Sequence, residues 1–133
     1  MSKIVKVETD FSPKAIGPYS QAVIAGDFIF CSGQIAIETK SGEIIPGGII
    51  EQTKQTIKNL ENILVSTGNS LGQVVRTEVY LKNMDDFGEM NKIYSEKFIF
   101  EPKPSRVTVE VSRLPKDALI EISCIAINKI YEK

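Results

Sequence analysis

The chain has 133 residues, 42% apolar and 25% charged, a soluble composition long enough to build one core without staples. The formal net charge of −1 provides no global basic field, so nucleic acid and anionic lipid are not expected partners. Histidine is absent, which removes the commonest general base and the commonest metal ligand together. The two cysteines, Cys31 and Cys124, sit in apolar runs without CxxC spacing and read as small buried hydrophobes. No metal and no cofactor is therefore expected, and any catalysis must use carboxylate, hydroxyl, lysine, arginine or backbone groups. The start lacks the apolar stretch of a signal peptide, and no apolar run approaches membrane-spanning length. A single cytoplasmic domain over residues 1–133 is the expectation.

In chain order, Ile4 to Val7 reads as a short strand, and Ser12-Pro13 and Ile16-Gly17-Pro18 punctuate a loop. Ala22 to Ala25 and Phe28 to Cys31 are β-rich runs separated by the hairpin signal Gly26-Asp27, and the second ends in Ser32-Gly33-Gln34-Ile35, read as a turn. From Ile49 to Thr67 the apolar period lengthens: Ile50, Thr53, Ile57, Leu60 and Leu64 share one side, and Gly68 stands where a C-terminal cap belongs. Val74 to Leu81 alternates again and reads as a strand, with Val75, Thr77, Val79 and Leu81 on one side. Asn83 to Asp86 supplies caps for a second helix reaching about Phe98. Its stripe is Phe87, Met90, Tyr94 and Phe98, and Asn91 falls on the same side.

Pro104 to Ile122 reads as two strands joined by the corner Pro115-Lys116-Asp117. Val107, Val109 and Val111 alternate with Arg106, Thr108 and Glu110, the period of a strand with one face buried. Ala118 onward is apolar on both sides, except for Glu121. A carboxylate in such a run is paired or protonated, because an unpaired buried charge costs several kcal/mol. Arg106 is the nearest candidate partner. Two readings stand open: a structural ion pair of Arg106 with Glu121 or Glu110, or a guanidinium fork holding a small carboxylate beside a glutamate that activates water. Tyr19 and Ser32, beside glycines, are ligand contacts or ordinary turn residues, and Asn91 is a ligand contact or a satisfied core amide. Two helices cover at most one face of six strands, so the other face calls for another copy of the chain, with groups such as Arg106 at the seams.

Four segments together carry a resemblance: IGPYSQAV at Ile16 to Val23, SGQI at Ser32 to Ile35, NMDDFGEMN ending at Asn91, and PSRVTVEVSRLPKDALIEI at Pro104 to Ile122. The chain resembles, from end to end, the RidA (YjgF-type) imine deaminases. The resemblance implies an α+β fold similar to trimeric chorismate mutase: a six-stranded mixed sheet with two helices on one face, three copies forming a central barrel. It implies a small 2-imino or 2-keto acid bound in clefts between subunits, and hydrolysis of 2-iminobutanoate or 2-iminopropanoate to the keto acid and ammonia. Carried over by position, Arg106 binds the carboxylate, Glu121 activates water, and Tyr19, Ser32, Gly33, Asn91 and Thr108 line the cleft. Thr108 stands where many relatives have cysteine, so it donates a hydrogen bond but is no thiol nucleophile. Ser123 and Cys124 depart from the commoner Glu-Ala and read as packing differences. Rival readings are a non-catalytic keto-acid binder or sensor and, less favoured by the charge, an endoribonuclease or translation inhibitor.

Overall fold

The computed structural model describes residues 3–129. Strands β1 (Ile4–Val7), β2 (Ala22–Ala25) and β3 (Phe28–Gln34) form an antiparallel meander at one edge of a six-stranded sheet. Strand β6 (Ile120–Ile127) lies antiparallel between β3 and β4 (Val74–Leu81), and β5 (Ser105–Glu110) forms the far edge, parallel to β4. Helix α1 (Ile49–Ser66) connects β3 to β4, and α2 (Phe87–Lys97) makes the crossover that a parallel β4–β5 pair requires. Both helices contribute to the hydrophobic core on the same side of the sheet.

Local chemistry sets these elements. Gly26 has φ 62°, which suits the glycine-first turn closing the Ala25–Phe28 pair of the β2–β3 hairpin. At the start of α1, the Glu51 carboxylate accepts a 2.9 Å hydrogen bond from Gly48 N, which lowers its pKa. At the other end, Gly68 N donates to Val65 O and Asn69 N to Leu64 O, with Gly68 at φ 83°, forming a Schellman cap. Ile57, Leu60, Ile63 and Leu64 of α1 are buried against Ile29, Val79, Leu81, Ile120 and Ile122 of the sheet. Each such side chain contributes about 1.5–3 kcal/mol of transfer free energy. Met90, Tyr94 and Phe98 extend this layer beneath α2. Cys31 and Cys124 face one another across β3 and β6 as free buried thiols, and the Cys31 hydrogen bond together with burial pushes the Cys124 thiol well up.

Several expectations need correction. Ser32 to Gln34 is strand rather than turn, because β3 continues its pairing with β6 through a bulge: Ser32 and Gly33 stand opposite Ser123 alone. Val75 does not join the buried side of β4. A register shift between Val74 and Arg76 turns it outward, and Val74 is buried instead. The strands flanking Pro115–Asp117 are not neighbours, since β4 is inserted between β5 and β6. On β5 the buried face is the polar one: Val107 and Val109 are exposed, while Arg106 and Thr108 are half-buried on the helix side. Register explains this, as Arg106 pairs with the buried Thr77 and Thr108 with the buried Val79. Strand β6 alternates rather than being buried throughout: Ile120, Ile122, Cys124 and Ala126 face the helices, and Glu121, Ser123, Ile125 and Ile127 the other side. That other face carries no helix and exposes Ile4, Phe28, Phe30, Val107 and Val109. Among the described residues, no helix is long and apolar enough to cross a membrane.

Candidate functional site

Two clusters of polar groups occupy opposite sides of the sheet. The first is built on β5 and α2. Arg106 Nη1 donates a 2.7 Å hydrogen bond to Asn91 Oδ1. Its guanidinium carbon lies 4.7 Å from the centre of the Tyr94 ring and 5.6 Å from that of Phe87. Phe87, Asn91 and Tyr94 lie four and three residues apart, so one face of α2 holds the guanidinium. Phe87, expected in the core stripe, is instead part-exposed under this arginine. Tyr94 is itself anchored by a 2.8 Å hydrogen bond with Thr77 and by stacking on Phe98. Burial raises its pKa, against the opposing effects of Thr77 and Arg106. Thr108, two residues along the same side of β5, has a buried hydroxyl with no hydrogen-bond partner.

Neither carboxylate of the ion-pair reading reaches Arg106. Glu121 lies on the opposite side of the sheet, paired with Tyr80 two strands from β5. Glu110 accepts a 2.8 Å hydrogen bond from Met84 N. Among the described residues, Arg106 makes no salt bridge, and Asn91 is its one side-chain hydrogen-bond partner. The core-amide reading of Asn91 gives way as well, since the amide is half-buried and its oxygen serves the arginine.

The second cluster lines a cleft of about 920 Å³ in which Tyr19, Ser32, Gly33 and Glu121 converge. The bulge in β3 brings Gly33 against Glu121: a Cβ on Gly33 would fall 2.8 Å from Glu121 Cδ and 3.0 Å from Cγ, and closer still to Oε2. Only glycine lets the carboxylate lie over this backbone. Glu121 is half-buried, and desolvation with no compensating cation raises its pKa. Ser32 Oγ donates 2.6 Å to Ser20 O, so this hydroxyl ties down the loop carrying Tyr19. Tyr19 is half exposed at the mouth.

Residues that sequence reasoning missed hold these walls. Buried Gln21 accepts a hydrogen bond from Thr9 N and donates to the carbonyls of Thr9, Ser12 and Pro13, fixing residues 9–13 along the cleft. Asn59, fully buried on α1, donates 3.0 Å bonds to Ile35 O and Ile37 O and accepts one from Gln55, while its backbone carbonyl accepts from Ser12 Oγ. The available signal was weak, because the buried side of α1 also carries Gln52, Thr53 and Thr56 and a polar residue there does not stand out. Lys14, Lys40 and Lys116, none of them among the expected site residues, also line the cleft. Among the described residues, no group of three or more His, Cys, Asp or Glu side chains is placed to hold a metal ion.

A guanidinium flanked by two aromatic rings, a partnerless hydroxyl near it and a desolvated carboxylate over a glycine bulge thus form two candidate half-sites on opposite sides of one sheet. Comparison with known proteins assigns the fold to a family. Residues 9–128 match the family model described as Endoribonuclease L-PSP, and the chain belongs to this YjgF/RidA family. A RutC family protein of Pyrococcus horikoshii is 56% identical over 89% of this chain and 93% of its own length. The 2-iminobutanoate/2-iminopropanoate deaminase of Mus musculus is 42% identical over 100% of this chain and 99% of its own. The solved structure of the YjgF gene product of E. coli superposes with TM-score 0.87 at 39% identity, covering 92% of this chain and 98% of that one.

Proposed function

We propose that the protein hydrolyses 2-imino acids, 2-iminobutanoate and 2-iminopropanoate among them, to 2-keto acids and ammonia. The observation that carries this reading is the half-buried guanidinium of Arg106, held between aromatic rings by an amide and lacking any carboxylate of its own. Such a fork is preorganised for a ligand carboxylate, because its orientation is set before binding and little rotamer entropy remains to be lost. The mouse relative's name supports the reaction, and the described half-sites supply its parts.

The two clusters lie on opposite sides of one sheet, so they meet when the chain associates. Three copies pack their helix-free faces into a barrel, burying Phe28, Phe30, Val107 and Val109, and the Arg106 cluster of one protomer stands opposite the Glu121 cleft of a neighbour. The substrate carboxylate binds Arg106, with Thr108 Oγ donating a further hydrogen bond and Tyr19, Asn91, Ser32 and Gly33 shaping the walls. Glu121 takes a proton from water as the water oxygen bonds to the imine carbon and the C=N π pair moves to nitrogen. The resulting carbinolamine receives a proton on nitrogen, the C–N bond breaks, ammonia leaves, and loss of the hydroxyl proton forms the ketone. An iminium carbon is electrophilic enough for oriented water and a modest base to suffice. A carboxylate whose pKa is raised by desolvation is a stronger base than one in bulk water.

The test generates 2-iminobutanoate in place with a threonine dehydratase and traps survivors with semicarbazide. Wild type should shorten the imine's lifetime, and Arg106→Ala should not while remaining assembled. A fully active Arg106→Ala protein would overturn the reading. Binding of keto acids through Arg106 without turnover would leave a ligand-binding protein in its place.

A further inference from the structure

We infer that the cleft accepts 2-imino acids bearing a second acidic group, and that Lys14, Lys40 and Lys116 select them. This rests on the hydrolase reading above and specifies its substrate class. The three lysines come from three separate segments: the loop after β1, the loop before α1 and the corner before β6. They converge on one cleft whose acidic lining residues are Asp10 and Glu121, leaving an excess of positive charge where a substrate side chain would extend. Ile16, Ile35 and Ile37 line the same cleft as Glu121 and the three lysines, so a substrate whose imine carbon stands at Glu121 has both apolar wall and lysine side chains within the cleft that receives its side chain. A small monocarboxylic imino acid fills little of 920 Å³ and leaves the lysines with nothing to bind.

The ammonium groups are kept unpaired. Among the described residues, none of the three takes part in a salt bridge. The carboxylate adjacent to Lys116, that of Asp117, is turned to Arg113 at 2.8 Å. Lys116 and Asp117 both have left-handed backbone, φ 55° and 54°, which costs of order 1–3 kcal/mol per residue. Glu38 and Glu43, on the loop that carries Lys40, form no ion pair with it either. A second carboxylate arriving among exposed lysines gains modestly from each, and the gain is screened by salt.

The experiment compares kcat/KM for 2-iminoglutarate and 2-iminobutanoate, each generated in place by an amino acid oxidase and followed by semicarbazide trapping. At low ionic strength the dicarboxylic imine should be preferred by about fivefold to tenfold, as one to two favourable charge contacts allow, with the preference shrinking in 0.5 M salt, where the Debye length is about 4 Å. Lys40→Gln combined with Lys116→Gln should lower the ratio of the two constants about twofold to threefold, and adding Lys14→Gln should bring it close to one. Hydrolysis of 2-iminobutanoate with no preference for the dicarboxylic imine, or with a preference indifferent to these substitutions, overturns the inference and leaves the hydrolase intact. If neither imine is hydrolysed, the hydrolase reading falls. Titration calorimetry with 2-ketoglutarate and 2-ketobutyrate then decides the lysine assignment alone: tighter, lysine-dependent binding of the diacid supports it, and equal binding refutes it.

Discussion

Gly33→Ala separates stability from chemistry at the proposed site. Gly33 has no positive φ, so alanine brings no backbone strain, and reduced entropy of the unfolded chain favours it by about 0.4–1 kcal/mol. Against this, the new Cβ would approach Glu121 Cδ at 2.8 Å and Cγ at 3.0 Å, closer than van der Waals contact permits. Glu121 must swing to another rotamer, and the overpacking costs about 1–3 kcal/mol. The net is a loss of about 0–2.6 kcal/mol, a fall in Tm of at most about ten degrees for a domain of this size. The chemical effect is much larger. A carboxylate moved off the water it activates forfeits the contribution of a positioned general base, about 10²- to 10⁴-fold. Imine trapping read beside thermal unfolding should therefore show a nearly stable protein that has lost turnover. A Gly33→Ala protein retaining at least half of wild-type kcat/KM would refute the placement of Glu121 as the base over this bulge.

Arg106→Lys should fare little better than Arg106→Ala in kcat/KM, with both down at least about 100-fold, because an ammonium cannot reproduce the bidentate fork. Steady-state kinetics of the two variants tests this. Glu121→Gln should abolish turnover and raise the Tm slightly at pH 7–8. Folding raises this carboxyl's pKa above its ordinary 4.5, so ionised Glu121 weakens the fold as pH rises through that value, and glutamine removes the penalty. The difference in Tm between the two proteins should vanish below pH 4, where the native carboxyl is neutral, and a difference independent of pH would contradict the assignment. Val107→Glu, on the exposed edge strand, should dissociate the proposed trimer in sedimentation and abolish activity with it, while circular dichroism shows folded protomers. Asn59→Ala leaves Ile35 O, Ile37 O and the Gln55 amide without their partner and should cost about 1–3 kcal/mol in urea unfolding.

Much of this protein was legible in its sequence, because much of it follows from local rules. The β2–β3 hairpin reads from Gly26-Asp27, α1 from its three- and four-residue apolar steps and the glycine after it, and β4 to its ends. Backbone geometry and side-chain periodicity decide these over a few residues, without reference to the rest of the chain. The four family-like segments likewise needed only the order of residues. Strand order was decided elsewhere. Nothing near Pro115–Asp117 states that β4 enters between the flanking strands, and with that insertion the pairing of Arg106 and Glu121 disappears. Alternation on β5 was visible, but not which of its faces is buried, since a period of two is symmetric until a neighbour sets the register. Here buried Thr77 and Val79 set it, turning Arg106 and Thr108 toward α2 and the valines outward. The bulge that lays Gly33 under Glu121 depends on pairing with β6 at the far end of the chain, and the buried amides of Gln21 and Asn59 that hold the cleft walls depend on partners 8 and 24 residues away. Sequence pattern thus determined the elements and the chemical inventory. Tertiary packing alone decided which strands are neighbours and which face of β5 is buried, because register and strand order are encoded by no local stretch of residues.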